Sequence, residues 1–387
     1  MHKDIYLDNA ATTFPKPPEV YDYMMNMYKN YGFNLGRGVN YNEINLNEIA
    51  TEVRKMLKKL VKANYDYEVI FQPSATIAIN QVLRGLDFSN IKNVYISYFE
   101  HNAVLRTLES LKKNYSINIR YLEFDINKWE YDYSKIKYDF ENNTPDLVIV
   151  SHVSNVIGYI SPIDTIGEIA KQYNDNAIYM VDGSQSVGIE DIDVIKSKID
   201  FLIYAGHKTL YAPYGIAGFI MNKSFDLEPL IYGGTGTESA NLEMPNTIPT
   251  KYEAGSMNIL SIFGLYQSLK WIEKIGTENI RKKEDELTYK LVEIMNKYDY
   301  IQLYLPNNNH RSIVSFKIKG YPVDSMGELI AKKYNIALRY GLHCSPLVHK
   351  LINSFPEGTI RFSLSYFTEE EDLQALEEIF DDLEYEI

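Results

Sequence analysis

The run Ala177-Ile178-Tyr179-Met180-Val181-Asp182-Gly183-Ser184-Gln185 sets the reading of the whole chain, together with Phe201-Leu202-Ile203-Tyr204-Ala205-Gly206-His207-Lys208, whose lysine stands 26 residues after the aspartate. Each half is a short apolar strand, 177–181 and 201–205, that ends in residues able to carry chemistry. Similar apolar runs lie at 68–71, 94–97, 119–124, 147–151 and 216–221. Stretches with apolar residues at helical spacing separate several of them, for example 103–113 and 163–173. Strands alternating with helices predict an α/β fold with a largely parallel sheet covered on both faces. Ligands of such sheets sit beyond the carboxyl ends of the strands, so chemistry is sought just after each run.

Beyond about Gly255 the pattern changes. Helices are predicted over 259–275 and 277–298, then strands near 301–304 and 312–317. A closing helix over 368–383 carries Leu373, Leu376, Phe380 and Leu383 as one apolar stripe, and Thr368 and Glu371 have capping-box spacing at its start. A second, smaller α+β domain is expected. The division read from the chain is 15–255 for the large domain, with 1–14 and 256–387 for the small one.

The 387 residues are 45% hydrophobic and 24% charged, which excludes a disordered chain and a collagen-like one. Lys and Arg number 39 against 52 Asp and Glu, a net charge of −13. Ten of the acids fall between Glu369 and Glu386, where no Lys or Arg occurs. With no basic block, neither direct nucleic-acid binding nor an anionic membrane surface is expected. No run of about 18 apolar residues offers a membrane span, and Met1-His2-Lys3-Asp4 leads into Ile5-Tyr6-Leu7 without the core of a signal peptide. The single cysteine, Cys344, excludes an internal disulfide and fits a cytoplasmic location.

The strand ends collect an unusual set. Gln72-Pro73-Ser74-Ala75-Thr76 opens a helix after 68–71, and Glu100-His101-Asn102 follows 94–97. His152-Val153-Ser154-Asn155 follows 147–151. Asp182-Gly183-Ser184-Gln185 and Gly206-His207-Lys208 complete the series. Lys208 or Asp182 alone is weak evidence, since most lysines are solvated and most such aspartates are caps. Together they have a chemical meaning. A lysine amine condenses with an aldehyde cofactor, and an aspartate holds a pyridine nitrogen protonated as an electron sink.

These residues resemble the pyridoxal 5'-phosphate site of class V aminotransferase-fold enzymes. Within that group the chain resembles the cysteine desulfurases. Tyr6-Leu7-Asp8-Asn9-Ala10-Ala11-Thr12-Thr13, His152-Val153-Ser154-Asn155-Val156-Ile157-Gly158, Gly341-Leu342-His343-Cys344-Ser345-Pro346 and Gly358-Thr359-Ile360-Arg361-Phe362-Ser363 carry the likeness, in order, over nearly the whole chain. The resemblance implies the type I PLP-dependent transferase fold, with a seven-stranded, mostly parallel sheet and active sites at a homodimer interface.

By that resemblance Lys208 would bind the cofactor covalently, Asp182 would pair with its ring nitrogen, and His101 would stack on the ring and shuttle protons as a catalytic residue. Gln185 and Asn155 would hydrogen-bond its phenolic oxygen. Ala75, Thr76 and His207 would cradle the phosphate, a role that suits a helix start. Ser256 falls where relatives place a threonine that reaches the partner subunit's phosphate. Arg361, with Asn155 beside it, would take the substrate carboxylate, a planar bidentate task suited to Arg. Cys344, in a Gly-rich polar segment beside His343, would be the nucleophile. The implied reaction takes L-cysteine to L-alanine with the sulfur held as a persulfide on Cys344. With no second cysteine, a sulfur-acceptor protein or external thiol must remove it.

Three positions depart from the family pattern: Ala205 where a serine is common, Pro73-Ser74 where glycine is frequent, and Ser256 for threonine. The segment 339–344 looks more like the short-loop desulfurases. Competing readings are selenocysteine lyase and class V enzymes that need no Cys344, namely a transaminase, an epimerase or a β-eliminating lyase. A non-catalytic scaffold is countered by the intact Lys208, Asp182, His101 and Arg361. A dinucleotide dehydrogenase lacks its G-x-G-x-x-G after a strand.

Overall fold

The computed structural model describes residues 4–32, 46–238, 240–306 and 309–385. Seven strands build the main sheet: β1 (Tyr67–Gln72), β2 (Asn93–Ile96), β3 (Asn118–Tyr121), β4 (Leu147–Ser151), β5 (Ile178–Asp182), β6 (Phe201–Ala205) and β7 (Ala217–Asn222). They are the seven apolar runs of the sequence, ordered β1-β7-β6-β5-β4-β2-β3. The five strands from β6 to β3 pair in parallel, while β7 runs antiparallel to both β6 and β1.

Every residue of β4 and of β6 is buried, as a strand covered on both faces requires. Alternation sorts their side chains between two cores. Val148 and Val150 join one with Val181, Leu202 and Tyr204; Leu147 and Ile149 join the other with Met180, Phe201 and Ile203. The run read as 119–124 divides. β3 stops at Tyr121, and Phe124–Asp125 pairs instead with Glu130–Tyr131 in a small separate ladder.

A four-stranded antiparallel sheet follows, ordered β8-β9-β11-β10, from β8 (Ile301–Tyr304), β9 (Ile313–Ile318), β10 (Arg339–Gly341) and β11 (Thr359–Ser363). Its core holds Phe316 and Phe362 with Leu287 and Leu291 of the helix Thr277–Met295 and Leu376 and Phe380 of the helix Glu370–Glu384. The helix Ile259–Ile275 carries Ile262, Leu265 and Leu269 into a core of the main sheet. The capping box of the last helix sits one residue later than its spacing suggested. Glu369 is the cap and Asp372 its reciprocal partner, because Thr368 Oγ1 is engaged by the amide of Ser365. Two further helices, Pro18–Tyr31 and Leu46–Leu60, pack on Ile259–Ile275.

Candidate active site

The carboxyl ends of β2, β4, β5 and β6 open on one cavity of about 230 Å³, closed from the other side by β10 and β11. Ala75, Thr76, His101, Asn155, Asp182, Gln185, His207, Lys208 and Arg361 all line it. Ser256 does not. It lines a neighbouring, more apolar cavity of about 250 Å³ with Ile216, Ile231 and Tyr252.

Register explains the convergence. Asp182 is the last residue of β5, opposite Ser151 at the end of β4 and Ile203 in the middle of β6. Its Oδ1 accepts from the amide of Ser184 at 3.0 Å. Three residues after β6, Lys208 brings its amine to the cavity. Part of the residue stays accessible through the opening while the amine itself is enclosed, and burial pulls it down to about 8. Asp182 opposes that shift, and Arg361 and Arg339 add to it. The helix Ala75–Gly85 begins at the cavity wall, its Ser74 cap accepting from the amide of Ile77 at 3.2 Å.

His101 caps the helix Asn102–Leu111, its Nδ1 accepting from the amide of Ala103 at 3.0 Å. Burial, then the Lys208 charge, lowers it to about 4. The ring is therefore neutral, and the cap places its proton on Nε2. Beside it, Glu100 is fully buried and accepts from Ser97 Oγ and the Ser151 amide, both at 2.6 Å. Burial raises it to about 7, with Asp182 adding to the rise.

Cys344 follows β10 in a turn where His343 and Cys344 hold φ of +47° and +61°. Two successive non-glycine residues in the left-handed region cost roughly 1–2 kcal/mol each, so the turn must be held from outside. It is. The carbonyl of Cys344 accepts from the Asn102 amide at 2.7 Å. Asn155 Nδ2 donates to the carbonyl of His343 at 2.7 Å, and Asn155 Oδ1 accepts from Ser345 Oγ at 2.7 Å. Underneath, Gly358 lies so close to Gly341 that a Cβ would stand 2.0 Å from the Gly341 carbonyl oxygen. Arg339, a lining residue of the cavity, donates from Nη2 to Cys344 Sγ at 3.3 Å. The half-buried thiol thus has a guanidinium at its sulfur, a cation placed to hold negative charge there.

Arg361 on β11 is fully buried. Its Nη1 donates to the carbonyl of Asn155 at 2.8 Å and its Nη2 to Asp8 at 2.5 Å, while Nε has no partner among the described residues. Gln185 Nε2 donates to the carbonyl of Ala10 at 2.7 Å.

The residues fit a phosphorylated pyridine aldehyde. A helix start faces the cavity for an anion. Ser184 Oγ and His207 Nδ1, both at its wall, are buried with no partner among the described residues, as groups awaiting a polar ligand are. Ala205 offers no hydroxyl, and Ser184 brings one to the same cavity. A carboxylate for the ring nitrogen and an enclosed amine for the aldehyde complete the set. Arg339, Asp8, Glu100 and His343 join the site without a sequence signal of their own. Their only signal was membership of the motifs quoted for their neighbours.

The profile of the Aminotransferase class-V family matches residues 5–376. A probable cysteine desulfurase of Methanothermobacter thermautotrophicus is 30% identical, the match covering 98% of this chain and 94% of that protein. One of Pyrococcus abyssi is 31% identical over the same shares. The apo structure of a cysteine desulfurase from Thermococcus onnurineus NA1 superposes with a TM-score of 0.90 at 27% identity, over 99% of this chain and 95% of that one.

Proposed function

The chain belongs to the Aminotransferase class-V family, and on that footing we propose that it is a pyridoxal 5'-phosphate-dependent cysteine desulfurase, converting L-cysteine to L-alanine and holding the sulfur as a persulfide on Cys344. The observation that carries this reading is the seat of Cys344 Sγ on Arg339, beside the cavity that contains Lys208, Asp182 and Arg361. A class V enzyme without sulfur chemistry has no use for a thiol so placed.

When bound, the cofactor supplies an electron sink that stabilises negative charge at the substrate Cα and loosens the bond from Cβ to sulfur. The rest is the work of side chains. Lys208 is the attachment point and, once displaced, the amine that takes the Cα proton. Asp182 keeps the ring nitrogen protonated. His101, neutral with its proton on Nε2, donates on the cavity side. Arg361 takes the substrate carboxylate. The Cys344 thiolate attacks the substrate sulfur; an S–S bond forms as the Cβ–S bond breaks, and the electron pair stays on carbon, which takes up a proton. The chain has one cysteine, so the persulfide sulfur leaves to an acceptor protein or external thiol.

The working unit of this reading is a homodimer. Phe14, Tyr214, Ile231, Tyr232 and Leu242 are exposed apolar residues, and Ile231 and Ser256 line the second cavity, where a partner subunit would complete the phosphate site. The division into domains at residues 15 and 255 belongs to the same proposal, as does a cytoplasmic location; among the described residues no helix is long and apolar enough to cross a membrane.

Alanine release from L-cysteine tests the proposal. Wild type with a thiol reductant is expected to give sulfide and alanine in equal amounts, and without reductant close to one alanine per subunit. Cys344→Ala is expected to give almost none. Equal alanine release by the variant would remove Cys344 as nucleophile and leave another class V lyase.

A further inference from the structure

The N-terminal segment brings a carboxylate to the buried arginine of the cavity. Ser363, the last residue of β11, donates its amide to the carbonyl of Leu7 at 2.7 Å, and its own carbonyl accepts from Asn9 Nδ2 at 2.8 Å. The amide of Ala10 donates to Ser363 Oγ at 2.9 Å. These bonds fix residues 7–10 beside the strand that carries Arg361, and Asp8 Oδ1 accepts from Arg361 Nη2 at 2.5 Å. The Arg361 side chain is 1% exposed and that of Asp8 21%.

Part of this arrangement is what any buried guanidinium requires, a counter-charge. The pattern of bonds goes further. A carboxylate that approaches a guanidinium side-on takes the edge formed by Nε–H and Nη2–H. On Arg361 that edge is half occupied. Asp8 holds Nη2, and Nε is buried without a partner. A substrate carboxylate arriving there finds one donor open, the other in use, and a like charge beside it. Without Asp8, a bare buried cation would collect any small anion that entered the cavity.

We propose that Asp8 is a specificity-determining residue that competes with the substrate carboxylate for Arg361, so that a ligand must be held at its amino end as well to displace it. The inference rests on the reading of Arg361 as the carboxylate site. Asp8 stands in for the substrate carboxylate in the free enzyme. It keeps simple anions out and sets the affinity for L-cysteine below what Arg361 alone would give.

The experiment uses the cofactor-loaded enzyme and Asp8→Asn, which keeps an acceptor oxygen and removes the charge, with Asp8→Ala as second variant. Three ligands are compared: L-cysteine by KM, L-alanine by calorimetric binding, and cysteamine, which lacks the carboxylate, by inhibition. Formate is the probe for simple anions. Asp8→Asn is expected to tighten L-cysteine and L-alanine about two- to fivefold, the range of one charge contact. Formate inhibition should tighten alongside, and cysteamine should not move. A role as structural counter-ion alone predicts the reverse. Unchanged or weakened L-alanine binding in both neutral variants, or failure of both to fold, overturns the proposal. Arg361→Gln separates the two levels. If it leaves the preference for L-cysteine over cysteamine intact, the carboxylate reading of Arg361 itself falls. If it abolishes that preference while Asp8→Asn changes nothing, only the inference about Asp8 falls.

Discussion

At Lys208, burial leads and neighbouring charges follow in setting the state of the amine. An unperturbed lysine amine near 10.4 is neutral in roughly one molecule in 2,500 at pH 7. At about 8, the value set first by burial, about one in eleven is neutral. Only the neutral amine attacks an aldehyde, so cofactor capture by the cofactor-free protein should quicken about tenfold per pH unit below pH 8 and level off above it. Stopped-flow absorbance of the lysine-bound cofactor reads this directly; a rate still climbing at pH 10 would show an unshifted amine. Cys344 permits an equally clean test, since it is the only thiol in the chain. Arg339→Gln removes the cation at Sγ while keeping a polar side chain. The variant should release alanine from L-cysteine several-fold more slowly than wild type, because it loses the side chain that seats the sulfur beside the cavity. An unchanged rate would show that the 3.3 Å contact does not govern the sulfur.

At the scale of elements, His101 combines a helix cap with a place in the cavity wall, and substitution separates the two. His101→Ala should cost about 1 kcal/mol of stability through the lost cap. His101→Asn supplies another capping side chain and should recover most of that in a urea melt while leaving alanine release impaired. Recovery of both would reduce the ring to a cap. The elements also show what a sequence can and cannot disclose. Six of the seven main-sheet strands were legible as short, largely buried apolar runs, while β3, at the sheet edge with no buried residue, was legible only in part; the strand ends announced the cavity because such sheets bind ligands there. β10 and β11 were not. Arg339–Gly341 is three residues long, and Thr359–Ser363 hides a fully buried arginine inside its strand, which breaks the apolar pattern. Nor could spacing disclose the hold of Asn155 on both neighbours of Cys344, some 190 residues away, or the capping residue displaced by one when Thr368 turned to Ser365. Such contacts depend on which loops the packed sheets bring together, and no local periodicity encodes them.

Across the whole molecule, the buried carboxyl of Glu284 ties the side of the main sheet to that of the four-stranded sheet. Glu284 lies on the helix Thr277–Met295 and accepts from Tyr211 Oη, just beyond the Lys208 turn, and from Ser312 Oγ, just before β9, both at 2.8 Å. Burial raises it from 4.5 to about 7. Between those values the folded protein holds a proton that the unfolded chain has lost. The stability tied to this group is therefore fully present below about pH 4.5 and is lost as pH rises through about 7. By itself this is on the order of 3 kcal/mol. The wild-type curve will not display it alone, because His101, His152 and His349 are each lowered to about 4 by burial and act in the opposite sense below pH 6.5. Comparison with Glu284→Gln isolates it. The amide adds a constant offset by disturbing one hydroxyl partner, but it cannot titrate. Measured by urea denaturation at pH 5, 6, 7 and 8, the stability of the variant relative to wild type should climb steadily, with most of the rise between pH 5 and 7. A flat difference would mean that Glu284 is already ionised at pH 5, its charge held by the two hydroxyls that tie the helix to both sheets.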